Sequence, residues 1–192
     1  MSKLLKNTSM QYIYRLAEEK DTDDIVALVE SAYRGEKSKQ GWTSEAYFIN
    51  GQRTDAEEVS SLMCRENSAL VLCFDNDELL ATIQIQKNDD ECYLGMFAVQ
   101  PQKQSSGIGS MLLKQAENYA QQQWSCRVMR MLVISIRQEL IEWYQRKGYR
   151  STGEKQRFPY HEPRFGLPAR DDLMLDTYEK QLTEKIHEEK AD

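Results

Sequence analysis

Apolar and polar residues recur along this chain with two different periods. Between residues 21 and 33, apolar side chains return every three or four positions, which predicts a helix that buries Ile25, Leu28, Val29 and Ala32. A capping box at 54–57 predicts the start of a second helix. In chain order the predicted elements are a strand at 11–16, helices at 21–33 and 54–64, strands at 69–74, 79–86 and 91–99, a helix after 109, a strand at 127–135, a helix at 138–147, and strands at 149–152 and 173–178. Strands and helices mixed within 192 residues predict one α/β domain.

A short segment with two glycines joins the strand at 91–99 to the long helix that follows it. Glycines let backbone N–H groups approach an anion closely, and the positive end of the helix dipole favours negative charge there. A Walker A loop would need Lys and Ser or Thr after its last glycine, and a dinucleotide fingerprint would need glycine in place of Leu112. The segment therefore predicts either another kind of phosphate site or a plainly capped helix. Its residues are Gln104, Ser105, Ser106, Gly107, Ile108, Gly109 and Ser110.

A second motif closes the helix at 138–147. There Trp143 and Tyr144 precede Gly148 and Tyr149, which gives the pattern aromatic-Tyr-x-x-x-Gly-aromatic. Together with the loop at 104–109, read as Gln/Arg-x-x-Gly-x-Gly/Ala, this pattern resembles the GNAT superfamily of N-acetyltransferases over roughly residues 11–178. The resemblance implies a GNAT fold, in which helices flank a mixed, mostly antiparallel sheet of about seven strands. Residues 1–10 would form an N-terminal extension, and the charged tail at 179–192 would be a short solvated helix or disordered.

The resemblance also implies a reaction. Acetyl-CoA would be the co-substrate, and a primary amine would take its acetyl group by direct attack in a ternary complex. Tyr144 matches the tyrosine that serves the family as general acid, although filling the core beside Leu140 and Ile141 is the alternative role. Acetyl-CoA would lie along the loop at 104–110 and beside a bulged strand end. The matching strand residues are Met96, Phe97, Ala98 and Val99.

Two positions depart from the family pattern. Arg137 stands where many members have an asparagine that contacts the pantetheine arm, so it is a candidate CoA contact of a different kind. Tyr93 stands where histone-type members carry the acid that serves as general base. Because tyrosine is a poor base at neutral pH, the base stays open among three other residues. These candidates are Glu91, Glu45 and His161.

The acceptor is expected near the irregular segment at 34–53, where family members build the acceptor wall. Trp42 and Glu45 would offer an apolar and acidic pocket for an ammonium group, unless Trp42 only covers the core. A net charge of −6 favours cationic acceptors, and scattered Lys and Arg residues argue against a nucleic-acid partner. Either a small molecule or a protein could supply the amine, and the oligomeric state stays open.

Cysteine and histidine usage narrows the remaining possibilities. Four cysteines without framework spacing are typical of reduced thiols, and we expect a cytoplasmic protein with neither signal peptide nor membrane span. His161 and His187 lack metal-ligand partners at suitable spacing, so no metal is expected. Since the base is open, two alternatives to the enzyme remain. One is a non-catalytic acyl-CoA-binding or sensory domain, and the other is a phosphate-binding interaction module.

Overall fold

The computed structural model of the protein describes residues 12–182. Its strands are β1 (Ile13–Leu16), β2 (Ile49–Asn50), β3 (Ser68–Asp75), β4 (Glu78–Asn88), β5 (Glu91–Val99), β6 (Val128–Ile134), β7 (Arg150–Arg157), β8 (Leu167–Pro168) and β9 (Met174–Gln181). Its helices are α1 (Thr22–Tyr33), α2 (Gly35–Ser38), α3 (Ala56–Cys64), α4 (Ile108–Trp124) and α5 (Gln138–Arg146). Seven strands form one sheet in the order β1-β3-β4-β5-β6-β9-β7, while β2 pairs with β8 alone. Only the β5–β6 pair of the large sheet is parallel, which confirms the predicted mixed, mostly antiparallel α/β fold.

Both faces of the large sheet are covered by helices, because successive side chains of a strand point to opposite sides. On β3 the odd-numbered positions 69, 71 and 73 join the core under α4 and α5, while positions 70, 72 and 74 join the core under α1 and α3. The predicted face of α1 is confirmed, with Ile25, Leu28, Val29 and Ala32 all buried. None of the helices within residues 12–182 is long and apolar enough to cross a membrane.

The start of α3 differs from the predicted capping box by one residue. Asp55 is the N-cap, and its side chain accepts a hydrogen bond of 2.8 Å from the backbone N–H of Glu58. The Thr54 hydroxyl instead donates to the Glu58 carboxylate at 2.8 Å. Aspartate caps a helix as well as threonine does, so the local pattern permits either register.

The last strand continues beyond the predicted domain boundary at residue 178. β9 runs to Gln181 and pairs with both β6 and β7. Its charged residues are satisfied by ion pairs, since Glu179 accepts from Arg130 at 3.1 Å and Lys180 donates to Glu117 at 2.7 Å. The predicted N-terminal extension and the rest of the predicted tail, from residue 183, lie outside the described residues.

The parallel strands β5 and β6 separate halfway along their length. They pair only from Glu91–Leu94 with Val128–Met131. Beyond Leu94, β5 carries one extra residue opposite β4, and Met96 adopts a left-handed conformation with φ of 41°. Residues other than glycine rarely adopt this backbone conformation, because it costs about 1–3 kcal/mol. The surrounding structure must therefore impose the bulge. The edge of β5 that faced β6 consequently loses its sheet partner.

Candidate active site

The N-terminus of α4 is open to an anion. Gly107 is the N-cap in a left-handed conformation (φ 91°), and no side chain caps the helix. A Cβ placed on Gly107 would meet nothing within 4 Å, so the space in front of the loop is free. The first N–H groups of the helix, beginning at Ile108, have no intrahelical acceptor and face this space. The loop therefore has the backbone geometry of a phosphate cradle.

In front of this loop lies a cleft of about 410 Å³, which we call the loop cleft. It is lined by Ala32, Tyr33, Trp42, Thr43, Phe97, Ala98, Val99, Gln104, Ser105, Gly107, Gly109, Ser110, Arg137, Leu140, Trp143, Tyr144 and Arg146. Two arginines and no carboxylate of the described residues line it, so its charge suits an anion such as a diphosphate.

Most of the predicted CoA contacts converge on the loop cleft, and three do not. Met96 lines a neighbouring cleft, Ser106 is exposed outside both, and the side chain of Ile108 is buried in the core. The two motifs, which are 40 residues apart in sequence (Gln104 to Tyr144), thus meet in one cavity.

The side chain of Gln104 links the end of β5 to the segment that carries Trp42 by hydrogen bonds. Its Oε1 accepts from the backbone N–H of Trp42 at 3.0 Å, and its Nε2 donates to the carbonyl of Val99 at 3.4 Å. A Cβ on Gly41 would collide with the Gln104 amide, so a larger residue there would displace this side chain from its present position. Trp42 is 40% exposed and lines the loop cleft, so it does not merely cover the core.

Tyr144 lies at the inner end of the loop cleft. Its ring packs edge-on against Trp143 and Tyr149, with centroids 5.0 Å and 5.6 Å away, and the residue is only 5% exposed. Its hydroxyl has no hydrogen-bond partner in the part of the chain that the structure describes. Burial raises the pKa of Tyr144 above its usual value, and the nearby Arg137 charge opposes part of this rise. The ring packs in the core, and the protonated hydroxyl is available to donate a hydrogen bond to a ligand.

A second cleft of about 400 Å³ opens where β5 and β6 separate, and we call it the splay cleft. It shares with the loop cleft the residues Tyr33, Phe97, Arg137, Leu140 and Tyr144. Its other lining residues are Glu45, Arg53, Tyr93, Leu94, Gly95, Met96, Met131, Leu132, Val133, Ile134, Gln156, Arg157, Phe158, Pro159, Glu162, Arg164, Phe165 and Leu175. Two ligands, one in each cleft, would therefore meet beside Tyr144.

Glu45 lies in the splay cleft, but its carboxylate is already engaged. Arg34 donates to one oxygen at 3.0 Å, and Arg137 donates to the other at 2.9 Å. Arg137 also donates to the hydroxyl of Thr43 at 2.9 Å, while its buried Nε has no partner among residues 12–182. Trp42 and Glu45 thus line different clefts and do not form one pocket. This network locks the segment at 34–45 onto the start of α5.

The predicted base candidates are not free to act as bases in the splay cleft. Glu91 pairs with Arg130 at 3.2 Å, and neither Glu91 nor His161 lines either cleft. Tyr93 does line the splay cleft, and burial raises its pKa, which keeps it protonated. Within the described residues, every carboxylate that lines the splay cleft belongs to an ion pair. No group of three His, Cys, Asp or Glu residues there could hold a metal ion.

Several lining residues were not identified from the sequence. Tyr33 ends α1 and donates from its hydroxyl to the carbonyl of Phe97 at 2.9 Å, on the bulged part of β5. The family resemblance placed the segments that carry Arg53, Arg157 and Arg164 on the acceptor side, but these arginines were not singled out as binding residues; all three line the splay cleft. A hydroxyl at the end of an apolar helix face is a weak signal for Tyr33, and nothing local distinguishes these arginines from surface arginines.

Comparisons with known proteins agree with this geometry. The family model described as "Acetyltransferase (GNAT) family" matches residues 23–149. No curated protein sequence matches the chain. Among solved structures, the fold is similar to that of the ribosomal-protein-S18-alanine N-acetyltransferase from Escherichia coli, with 14% identity, a TM-score of 0.67, and coverage of 93% of this chain and 98% of the other.

Two further structures show the same similarity of fold. An N-acetyltransferase from Staphylococcus aureus Mu50 has 13% identity and a TM-score of 0.68, with coverage of 90% of this chain and 98% of the other. A spermidine N-acetyltransferase mutant from Vibrio cholerae has 11% identity and a TM-score of 0.66, with coverage of 90% and 94%. At such identities the likeness shows the fold alone, while the family model covers most of the chain. The protein therefore belongs to the GNAT acetyltransferase family.

Proposed function

We propose that this protein is an N-acetyltransferase that moves an acetyl group from acetyl-CoA to a primary amine by direct attack in a ternary complex. The observation that carries the proposal is the hydroxyl of Tyr144, which is protonated and unpartnered where two clefts meet. One cleft offers a cradle for phosphates and the other offers space for a second substrate.

Acetyl-CoA would occupy the loop cleft. Its diphosphate would accept hydrogen bonds from the backbone N–H groups between Gln104 and Ser110, and Arg146 would add positive charge at the rim. The pantetheine arm would run along the bulged end of β5, from Met96 to Val99, where backbone groups have lost their β6 partners. N–H groups freed by the bulge would also stabilise the thioester oxygen as it becomes negative.

The reaction would then proceed in one displacement. The amine nitrogen attacks the thioester carbon, the C–S bond breaks, and the sulfur leaves as a thiolate that receives a hydrogen bond or proton from Tyr144. The ammonium form of the acceptor loses its proton to water, since no unpaired carboxylate or imidazole of residues 12–182 lines the splay cleft. No cysteine in that range lines either cleft, so none of these thiols is placed to accept the acetyl group before the amine does.

Turnover is the test of this proposal. The full chain is incubated with acetyl-CoA and a panel of primary amines, and both released CoA thiol and the mass of the acetylated amine are measured. We expect amine-dependent release that matches product formation. Tight CoA binding by calorimetry without transfer to any amine would instead support a non-catalytic acyl-CoA-binding domain. If neither CoA binding nor turnover were detected, a phosphate-binding interaction module would be the remaining alternative.

Free thiols support a reducing compartment such as the cytoplasm. Cys73, Cys92 and Cys126 are buried and free. Burial raises the pKa of Cys92 to about 12, and the neighbouring Cys126 thiol adds to the rise. Two adjacent thiols that stay unpaired are typical of a cytoplasmic protein.

A further inference from the structure

The splay cleft carries an excess of positive charge, although the whole protein is acidic. Four arginines line it against two glutamates. Glu45 is held between Arg137 and Arg34, and Glu162 accepts from Arg164 at 2.8 Å. The remaining two arginines, at positions 53 and 157, have no carboxylate partner in the described chain. Net charge sums the entire surface, whereas a substrate meets the charges of one cleft.

Arg53 stands on the α1 side of the splay cleft and is half-buried. Its backbone N–H donates to Glu30 at 2.6 Å, so the start of its segment is fixed to α1. Its guanidinium lies 5.3 Å from the centroid of the Tyr33 ring and forms no ion pair within residues 12–182. Tyr33 lines both clefts, which places this unpaired cation close to the point where they meet.

Arg157 stands on the β7 side of the same cleft and is exposed. It makes one weak hydrogen bond, of 3.4 Å, to the carbonyl of Asp171, and its guanidinium lies 5.4 Å from the ring centroid of Tyr160. Aromatic side chains, including Tyr93 and Phe158, line the same cleft. The cleft thus combines two arginines that lack carboxylate partners with aromatic side chains.

We infer that the acceptor is a small amine with a carboxylate or similar oxyanion at its other end, bound by Arg53 and Arg157. This inference rests on the proposed function, and it reverses the preference for cations that net charge alone would suggest. A guanidinium matches the two oxygens of a carboxylate, and the anion would replace the carboxylate partner that both arginines lack. A volume of about 400 Å³ suits a small molecule. A polyamine of the same length would place a second positive charge beside these arginines.

Matched acceptors test the inference. Amino carboxylates of two to six carbons are compared with alkylamines and diamines of equal length, at fixed saturating acetyl-CoA. We expect kcat/KM to be about tenfold or more higher for the best amino carboxylate than for its alkylamine, and lowest for the diamine. Added salt should reduce the difference in kcat/KM between the amino carboxylate and the alkylamine. Transfer that is equal or faster with alkylamines or diamines overturns the inference but leaves the acetyltransferase proposal standing.

Variants locate the anion. R53Q and R157Q should each raise KM for the amino carboxylate about tenfold and leave KM for the alkylamine and CoA affinity unchanged. R150Q is the matched control, since Arg150 lies at the other end of β7 and lines neither cleft. R53K keeps the positive charge but lacks the two parallel N–H donors of the guanidinium. Its KM for the amino carboxylate should therefore lie between those of the unchanged protein and R53Q. Equal effects of R53Q or R157Q on both acceptors would overturn the assignment, and absence of any transfer would remove it together with the proposed function.

Discussion

A single hydroxyl separates the proposed catalytic role from the structural role in the aromatic cluster at the end of α5. Tyr144 and Tyr149 pack against each other, but only the Tyr149 hydroxyl has a partner, Glu117 at 3.0 Å. The unpartnered hydroxyl of Tyr144 borders both clefts. The two tyrosines therefore allow the same chemical change to be made at a reacting position and at a purely structural one.

Replacing Tyr144 with phenylalanine is expected to lower kcat about 100-fold, because the leaving thiolate loses its proton donor. CoA affinity and melting temperature should stay unchanged, since the ring remains. The control Tyr149→Phe should keep kcat and lose about 1 kcal/mol of stability with its hydrogen bond to Glu117. Stopped-time assays with both variants check this, and a normal kcat for Tyr144→Phe would rule out the donor role.

The pH profile should be set by the acceptor amine. With a pKa of about 10.4, roughly one alkylamine in 2,500 is neutral at pH 7, and the fraction grows about tenfold per pH unit. Because burial raises the pKa of Tyr144, its proton is retained as pH rises through 9, and it produces no falling limb there. Measured kcat/KM should climb from pH 6 to pH 9. A plateau near pH 7 would reveal a protein base that the described residues do not contain.

The proposed binding of CoA depends on the junction of β5 and α4. Gly107 and Gly153 both have left-handed backbones, with φ of 91° and 84°, and both face open space. Glutamate at either position should cost a similar backbone strain of about 1–2 kcal/mol. Only Gly107→Glu adds bulk and negative charge in front of the α4 amides, so it should weaken CoA binding at least about tenfold. Calorimetry that found equal affinity in both variants would place the phosphates elsewhere.

A partly buried ion pair joins β1 to the start of α1. Arg15 donates to both carboxylate oxygens of Asp21 at 2.6 Å and 2.7 Å, and these bonds lower the pKa of Asp21. A lowered pKa stabilises the fold above the unfolded value near 4, and the contribution is lost as pH falls below it. Asp21→Asn should therefore cost about 1–3 kcal/mol at pH 7 and much less at pH 3. Urea unfolding of both proteins at the two pH values measures this difference, and a cost independent of pH would contradict the pairing.

For the whole molecule, the elements could be predicted because their signals are local, and the architecture because two short motifs carry the family resemblance that implies it. The apolar period of α1 and the two glycine motifs each lie within one short stretch. The family resemblance placed the segments of Arg53 and Arg157 on the acceptor side. That these two arginines lack carboxylate partners could not be predicted, because the fold decides which charges meet. The engagement of Glu45 by Arg34 and Arg137 was equally hidden, since pairing depends on distances in space. Composition therefore predicts the net negative charge of the whole protein but not the excess of positive charge in the splay cleft.

In the proposed reaction the two products would leave by separate routes, because exposed residues border each cleft at a different place. Ser105 and Gly107 are exposed on the rim of the loop cleft, whereas Arg157 and Arg164 are exposed on that of the splay cleft. The acetylated amine can thus depart while CoA is still bound. In steady-state product inhibition, free CoA should compete with acetyl-CoA and act noncompetitively toward the amine. Direct competition between CoA and the amine would mean that the two cannot be bound at the same time, which would contradict separate release.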